Sequence, residues 1–208
     1  MFLRRLILPM MSCFMAMPAI ADECASFKLK PDVTLSAPNW TKSVVQPLGP
    51  MYLWHGNVVA TLVDNYDIVA DVTSVEDGFC VGLKAVNAEI GYEDFLVQID
   101  IRHAPDTCSY NAILSHEDGH IRAYLSVIDD YQNELKSAVY SAADSVMPVF
   151  VPRAAEIDAA IAVLNEQIQS HPDVILIKQK ISAAQEMRNK RIDQNDNGTE
   201  LKKCFVMQ

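Results

Sequence analysis

Two histidines and a glutamate stand at a spacing that suits metal-assisted hydrolysis, in the segment His116-Glu117-Asp118-Gly119-His120. On a helix, residues four apart lie one turn above each other, so His116 and His120 can reach one ion while Glu117 reaches a water on it. In sites of this kind a zinc ion polarises a carbonyl and acidifies the water. The glutamate takes the water's proton and passes it to the leaving amine. His116 and His120 are therefore expected as zinc ligands and Glu117 as general base and acid. Aspartate would be one methylene shorter, so glutamate at this position is informative. In a chain with five histidines the motif arises by chance on the order of once in a hundred sequences, so its surroundings must support it.

The helix that would carry the motif is legible. From about Ser109 to Val146 there is no proline and only one glycine, Gly119. Thr107 or Ser109 can cap its first turn, since a hydroxyl oxygen accepts from an unpaired N–H there, and Pro148 and Pro152 end it. At about 100° per residue, Ile113, Tyr124, Val127 and Tyr131 share a side with His116, Glu117 and His120. Ser115, Asp118, Arg122, Ser126, Asp129 and Asn133 take the opposite side. The histidines and the glutamate therefore point inward, where polar groups are costly unless a charge or hydrogen bond compensates them. A zinc ion would compensate. Gly119 costs about 1 kcal/mol relative to Ala, so it marks either the close approach of another segment or a tolerated defect.

A catalytic zinc usually takes three protein ligands, and the motif names two. The metzincin continuation fails, because Ala123 and Ser126 stand where glycine and a further ligand would be. Glu134 shares the face but stands roughly 21 Å beyond His120 at about 1.5 Å rise per residue. If the helix turns near 148 and the chain returns antiparallel, facing residues have numbers summing to roughly 297, which sets His120 opposite about position 177. His171 and Asp173 are then the nearest candidates for the third ligand. His103 is another, because it continues the inward parity of Val97, Ile99 and Ile101. His55, beside Trp54, is weaker.

The rest of the chain must build a platform for that helix. Residues 22–50 read as irregular, with Pro31, Pro38, Pro47 and Pro50 and only a short extended piece around Val33 to Leu35. Val58 to Val63 and Ile68 to Thr73 are β-branched runs, separated by Asp64-Asn65-Tyr66-Asp67, which suits a hairpin turn. Phe79 to Ile90 reads as one long strand with an irregularity at Gly82. Gly91-Tyr92-Glu93-Asp94 then reads as a turn into Phe95 to Arg102, a half-buried strand whose edge could pair with an extended substrate. After Pro152, helices are expected from about Arg153 to Gln169 and, past Ser170-His171-Pro172-Asp173, to about Ile192, with a loop-like tail over Asp193 to Gly198. The expected class is α+β: a small antiparallel sheet, then a long zincin-type helix and an antiparallel helical hairpin. One domain over residues 22–208 is expected, mostly β over 22–105 and mostly α over 106–208.

The N-terminus reads as a signal peptide over residues 1–21. Arg4 and Arg5 precede an apolar run from Leu6 to Met17, and Ala19 and Ala21 suit cleavage near Ala21. The run is too short and too broken by Pro9, Ser12 and Pro18 to span a bilayer, which takes about 20 apolar residues. A periplasmic or secreted bacterial protein with no stable membrane anchor is expected. Export fits the cysteines: Cys13 leaves with the leader, and Cys24, Cys80, Cys108 and Cys204 form an even set suited to two disulfides. No two lie at the two-to-four-residue spacing of structural zinc sites. Four cysteines allow three pairings. The helical hairpin sets Cys108 opposite about position 189 with Cys204 just beyond, which would pair Cys108 with Cys204 and leave Cys24 with Cys80. The 17 Lys and Arg against 27 Asp and Glu make nucleic acid an unsuitable partner.

The segment from Cys108 through Tyr110 to His120 resembles the core of a family of uncharacterised exported bacterial proteins regarded as zinc-dependent proteases. These share a Cys-x-Tyr segment leading into a His-Glu-x-x-His helix. The likeness extends thinly to Cys24, to Phe79-Cys80, to Ile192-Asp193 and to Cys204. It implies the fold outline and a metalloprotease activity, with a peptide or protein as substrate. The competing expectation is a non-catalytic interaction module whose metal site is structural or vestigial. An intact Glu117 favours the hydrolase, since a structural site has no need of a carboxylate there.

Overall fold

In the computed structural model, which describes residues 24–47, 49–51, 55–196 and 198–206, one strand organises the sheet. This is β4 (Gly78–Ile99), flanked on one side by β3 (Gly56–Val75), which pairs with it antiparallel over almost its whole length. On the other side three short strands lie end to end. They are β5 (Val149–Val151), antiparallel, then β1 (Asp32–Ser36) and β2 (Thr41–Val45), both parallel. The class is α+β, but the sheet is mixed and not antiparallel as expected. The β3–β4 hairpin uses one edge of β4, and β1 and β2 fill the other edge as a single interrupted strand. Pro38, between them, lies against Gly91. A proline lacks the N–H that pairing would need, so the break falls there. The stretch read as irregular thus contains two strands.

The apolar residues of β4 explain its length. Val81 and Leu83 face the helices, then Val86, Ala88, Ile90 and Tyr92, then Phe95, Val97 and Ile99, all buried. The parity slips by one residue twice, and the register with β3 skips Lys84 and Glu93 at those places. A bulge adds one residue and so restores the apolar set to the same face. The slip at Glu93 had the look of a turn, and Gly82 is not the irregular position. Phe95–Ile99 consequently lies inside the sheet, between β2 and β3, and offers no free edge to a substrate.

The polar run Asp64-Asn65-Tyr66-Asp67 is likewise no turn but the middle of β3, and the hairpin turns at Glu76-Asp77 instead. Tertiary partners accept these polar residues: Lys178 Nζ donates to Asp64 Oδ2 at 2.5 Å and lies 5.0 Å from the centre of the buried Tyr66 ring.

After the sheet come α1 (Cys108–Ser145), α2 (Ile157–Gln169), α3 (Pro172–Asp196) and α4 (Thr199–Val206). Thr107 caps α1 as expected, its Oγ1 accepting from the Tyr110 N–H at 3.3 Å. The core lies between the helix-facing side of β4 and Val127, Leu135 and Val139 of α1, Leu164 and Ile168 of α2 and Val174 of α3. The antiparallel partner of α1 is α3: Ser141 meets Asp173, Glu134 meets Lys180 and Ser126 meets Arg188. With β5 and α2 inserted between the two helices, their register differs from that of a direct hairpin. Helix α3 also runs on to Asp196, through the stretch expected to be loop, and α4 follows it unforeseen.

Disulfides join Cys24 to Cys80 and Cys108 to Cys204, the expected pairing. Such bonds persist in oxidising compartments. No helix among the described residues is long and apolar enough to cross a membrane. The leader expected over residues 1–21 lies outside the described residues, as does Trp54.

Candidate metal centre

His116, Glu117 and His120 lie on the inner side of α1 where it faces α3, with Glu117 buried and both histidines half-buried. Their partners come from one face of α3, where Asn189, Asp193 and Asp196 follow at spacings of four and three. His120 Nδ1 lies 3.0 Å from Asn189 Oδ1, and His116 Nδ1 lies 2.8 Å from Asp196 Oδ2. Both oxygens are acceptors, so each Nδ1 carries the proton and each Nε2 turns its lone pair inward. A partner on the outer ring nitrogen is the usual way a ligating histidine is oriented.

The two Nε2 atoms are 3.1 Å apart. Asp193 Oδ1 completes a triangle with them, 3.3 Å from His116 Nε2 and 3.1 Å from His120 Nε2. Three lone pairs converging on one point repel one another unless a cation lies among them. Among the described residues, His116, His120 and Asp193 form a group that can hold a metal ion.

Neither His171 nor Asp173 is near this group. Asp173 accepts from Ser141 Oγ at 2.7 Å and its own N–H lies 3.3 Å from His171 Nδ1, close to the far end of α1. His103 is buried in the turn that follows β4, with its Nε2 3.0 Å from His55 Nδ1. The candidate His103 and the weaker His55 are therefore brought together, but neither belongs to the converging triangle. The third corner of the triangle is Asp193, which sequence reasoning placed in a loop. The signal that could have found it is the polar stripe of Asn189, Asp193 and Asp196, which has helical spacing and carries the oxygen ligands and hydrogen-bond acceptors that a pair of histidines needs.

Glu117 is only 5% exposed, and burial first of all pushes its carboxyl up to about 7, helped by Asp193 and Asp118 and opposed by His120. Its pocket is formed by Gly56 at the start of β3, where a Cβ would come within 2.4 Å of Glu117 Oε1 and 2.5 Å of Ile113 Cγ2. That approach is fixed from behind. The Asp100 N–H donates to His55 O at 2.9 Å, and Asp100 Oδ2 accepts from the Met51 N–H at 2.5 Å. Arg102 bonds the same buried carboxylate at 2.8 Å and holds it well below the usual carboxylate range. Gly119 makes no comparable demand, since a Cβ there would meet Ile192 at an ordinary 3.6 Å.

Together these residues enclose a cleft of about 240 Å³, walled by Gly56, Asn57 and Val58 of β3, by Tyr124 of α1 and by Asn189 and Asp193 of α3. Tyr124 is set by edge-on contact with Tyr92, their ring centres 5.0 Å apart. The arrangement presents a triangle that can hold a metal ion, a desolvated carboxylate beside it and a strand at its rim. No family model matches the chain, and no curated protein or solved structure matches it.

Proposed function

We propose that the protein is an exported zinc-dependent hydrolase that cleaves peptide bonds. The observation that carries this reading is the triangle of two Nε2 atoms and one carboxylate oxygen, with edges of 3.1 to 3.3 Å, beside the buried Glu117. A tetrahedral zinc ion with bonds of about 2.0–2.1 Å spaces its ligand atoms by roughly 3.3–3.4 Å. Two imidazoles and a carboxylate are ligands zinc favours, and three protein ligands leave a fourth position open to water or substrate. When bound, zinc supplies Lewis acidity to a substrate carbonyl and lowers the pKa of a water.

The chain's own residues supply the rest. Glu117 is placed to take the proton of the attacking water and deliver it to the leaving amine, and a carboxyl pushed up to about 7 suits both steps near neutral pH. Asn189 and Asp196 hold the imidazoles in the required tautomer. The substrate-pairing edge is that of β3, since β3 pairs only with β4 among the described residues and Gly56 to Val58 border the cleft. An extended polypeptide can add there as a further strand, its backbone bonding to the edge and its side chains read by pockets. The two disulfides fit the periplasm or the exterior, and the resemblance of Cys108 to His120 to exported zinc proteases points the same way.

The test is metal analysis of the purified mature protein together with hydrolysis of an unfolded polypeptide, beside Glu117→Ala. Stoichiometric zinc in both proteins, with hydrolysis only in the native one, is the expected result. Absence of zinc from the native protein would sink the metal reading. Zinc without hydrolysis would favour the non-catalytic module.

A further inference from the structure

A second cavity, of about 440 Å³, opens from the metal cleft past Gly56 and Glu117, sharing His116, Asp193 and Asp196 with the site and bounded further out by Ala112, Ile113 and Leu201. We infer that it receives an apolar side chain flanking the scissile bond, so that the substrates are polypeptides with a large aliphatic or aromatic residue beside the cleavage point. This rests on the peptidase reading of the same site.

Position, charge and rigidity carry the inference. A peptide whose scissile carbonyl lies at the His116–His120–Asp193 triangle has neighbouring side chains alternating in direction. One that turns toward α1 beside Glu117 enters this cavity directly. The outer walls are apolar: Ala112 and Ile113 lie on α1, and Leu201 on α4 closes the opposite side. At the metal end stand the carboxyl groups of Glu117, Asp193 and Asp196 with the imidazoles of His116 and His55, and among the described residues no lysine or arginine lines the cavity. An acidic side chain between the apolar outer walls would therefore find no lysine or arginine to pair with and would lie near the carboxylates of Asp193 and Asp196, whereas an apolar one loses water without leaving a polar partner unpaired. The size falls within the roughly 300–1,000 Å³ of ordinary ligand pockets.

The wall bearing Leu201 is also fixed in place. Cys204, three residues beyond it, is bonded to Cys108, the first residue of α1. The pocket is thus preformed, and filling it costs little ordering of the chain. On the other side of the triangle the cleft is bordered by Asn57, Val58, Tyr124 and Asn189. With two asparagines and a tyrosine beside the one aliphatic residue, that mixed border selects less strongly for apolar side chains, so the preference should be stronger on the side of Leu201.

The experiment supplies the zinc-loaded protein with a peptide mixture randomised around a central bond, with cleavage sites read by mass spectrometry. Leu, Met, Phe or Ile should be enriched roughly 10-fold or more on one side of the bond, with Asp and Glu depleted there. Leu201→Trp and, from the opposite wall, Ala112→Trp should each shift the preference toward Ala and Gly, and Leu201→Arg should admit Asp and Glu. Zinc content and thermal midpoint, measured alongside, identify variants that fold and load normally. Cleavage with no side-chain preference, or a preference that folded variants of neither wall move, would overturn the pocket and leave the peptidase reading standing.

In parallel, an apolar and an acidic peptide of equal length are titrated onto zinc-loaded Glu117→Gln protein by calorimetry. Tighter binding of the apolar peptide, weakened about 10-fold by Leu201→Arg, supports the pocket even if the native protein cleaves nothing, in which case only the peptidase reading fails. Equal binding of the two peptides would overturn the pocket.

Discussion

Gly56 and Glu117 pack so closely that a methyl group on Gly56 would lie 2.4 Å from the glutamate's Oε1. The first residue of the outer strand therefore shapes the pocket of the carboxylate on the metal helix. Gly56→Ala should push the Glu117 side chain aside, since its free end yields more easily than the backbone. The atoms nearest a Cβ on Gly56 belong to Glu117 and Ile113 and not to His116, His120 or Asp193, so zinc content should hold while peptide hydrolysis falls about 100-fold, the scale set by a misplacement of about 1 Å. Overpacking should cost about 1–3 kcal/mol of stability. Zinc analysis beside a hydrolysis assay checks this, and unchanged activity would show that the contact does not position Glu117.

On the zinc reading, the polar residues of α3 divide into a ligand, Asp193, and two orienting groups, Asn189 and Asp196. Asp193→Ala should remove most zinc affinity. Asn189→Ala and Asp196→Ala should each weaken it by about 10–100-fold, the usual effect of removing a group that orients a ligand. Asp173→Ala, which touches Ser141 and not the site, should leave it unchanged. Competition against a chromophoric chelator measures all four. Full zinc affinity in Asp193→Ala would show that the third ligand is another residue.

Glu117 makes a pH prediction for the zinc-free protein. Its carboxyl is pushed from 4.5 up to about 7, chiefly by burial, so between those values the folded chain holds a proton that the unfolded chain has released. The contribution is complete at low pH and is lost as pH rises through about 7. From pH 5 to pH 8 the zinc-free protein should lose about 2–3 kcal/mol that Glu117→Gln does not lose. Urea unfolding of both proteins at the two pH values isolates the difference. The two proteins losing stability in parallel would contradict the shift.

The Cys108–Cys204 bond closes a separation of 96 residues and ties α4 to the start of α1, while α3, with Asp193 and Asp196, leads directly toward α4. Replacing both cysteines by serine should cost about 2–4 kcal/mol and weaken zinc binding, because the end of α3 loses its anchor. The same change at Cys24 and Cys80, which ties the chain before β1 to β4, should cost stability and leave zinc affinity alone. Denaturant midpoints and zinc titrations of the two double variants check this. Equal zinc affinity in both would remove α4 from the support of the metal site.

The sequence by itself determined the half of the site that is local. A helix turn fixes the relation of His116, Glu117 and His120, and the apolar stripe of Ile113, Tyr124 and Val127 fixes which way they face, so both were legible without a partner helix. The Thr107 cap is equally local. The pairing of Cys108 with Cys204 followed from a hairpin argument whose register was wrong but whose direction was right.

Only the tertiary structure decided the rest. Asp193 becomes the third group because α3, not the helix next in sequence, lies along α1, and no local pattern specifies how far an inserted strand and helix displace that register. Asp64 and Tyr66 stay inside β3 because Lys178, more than a hundred residues later, meets them. The bulge at Glu93 joins across an apparent turn, and the bulge at Lys84 sets the irregularity two residues beyond Gly82, because packing against the helices rewards keeping the apolar side chains on one face over keeping the pleat regular. Gly56 lies at a strand start like many others in sequence, and its importance exists only where the Glu117 carboxylate comes to rest against it.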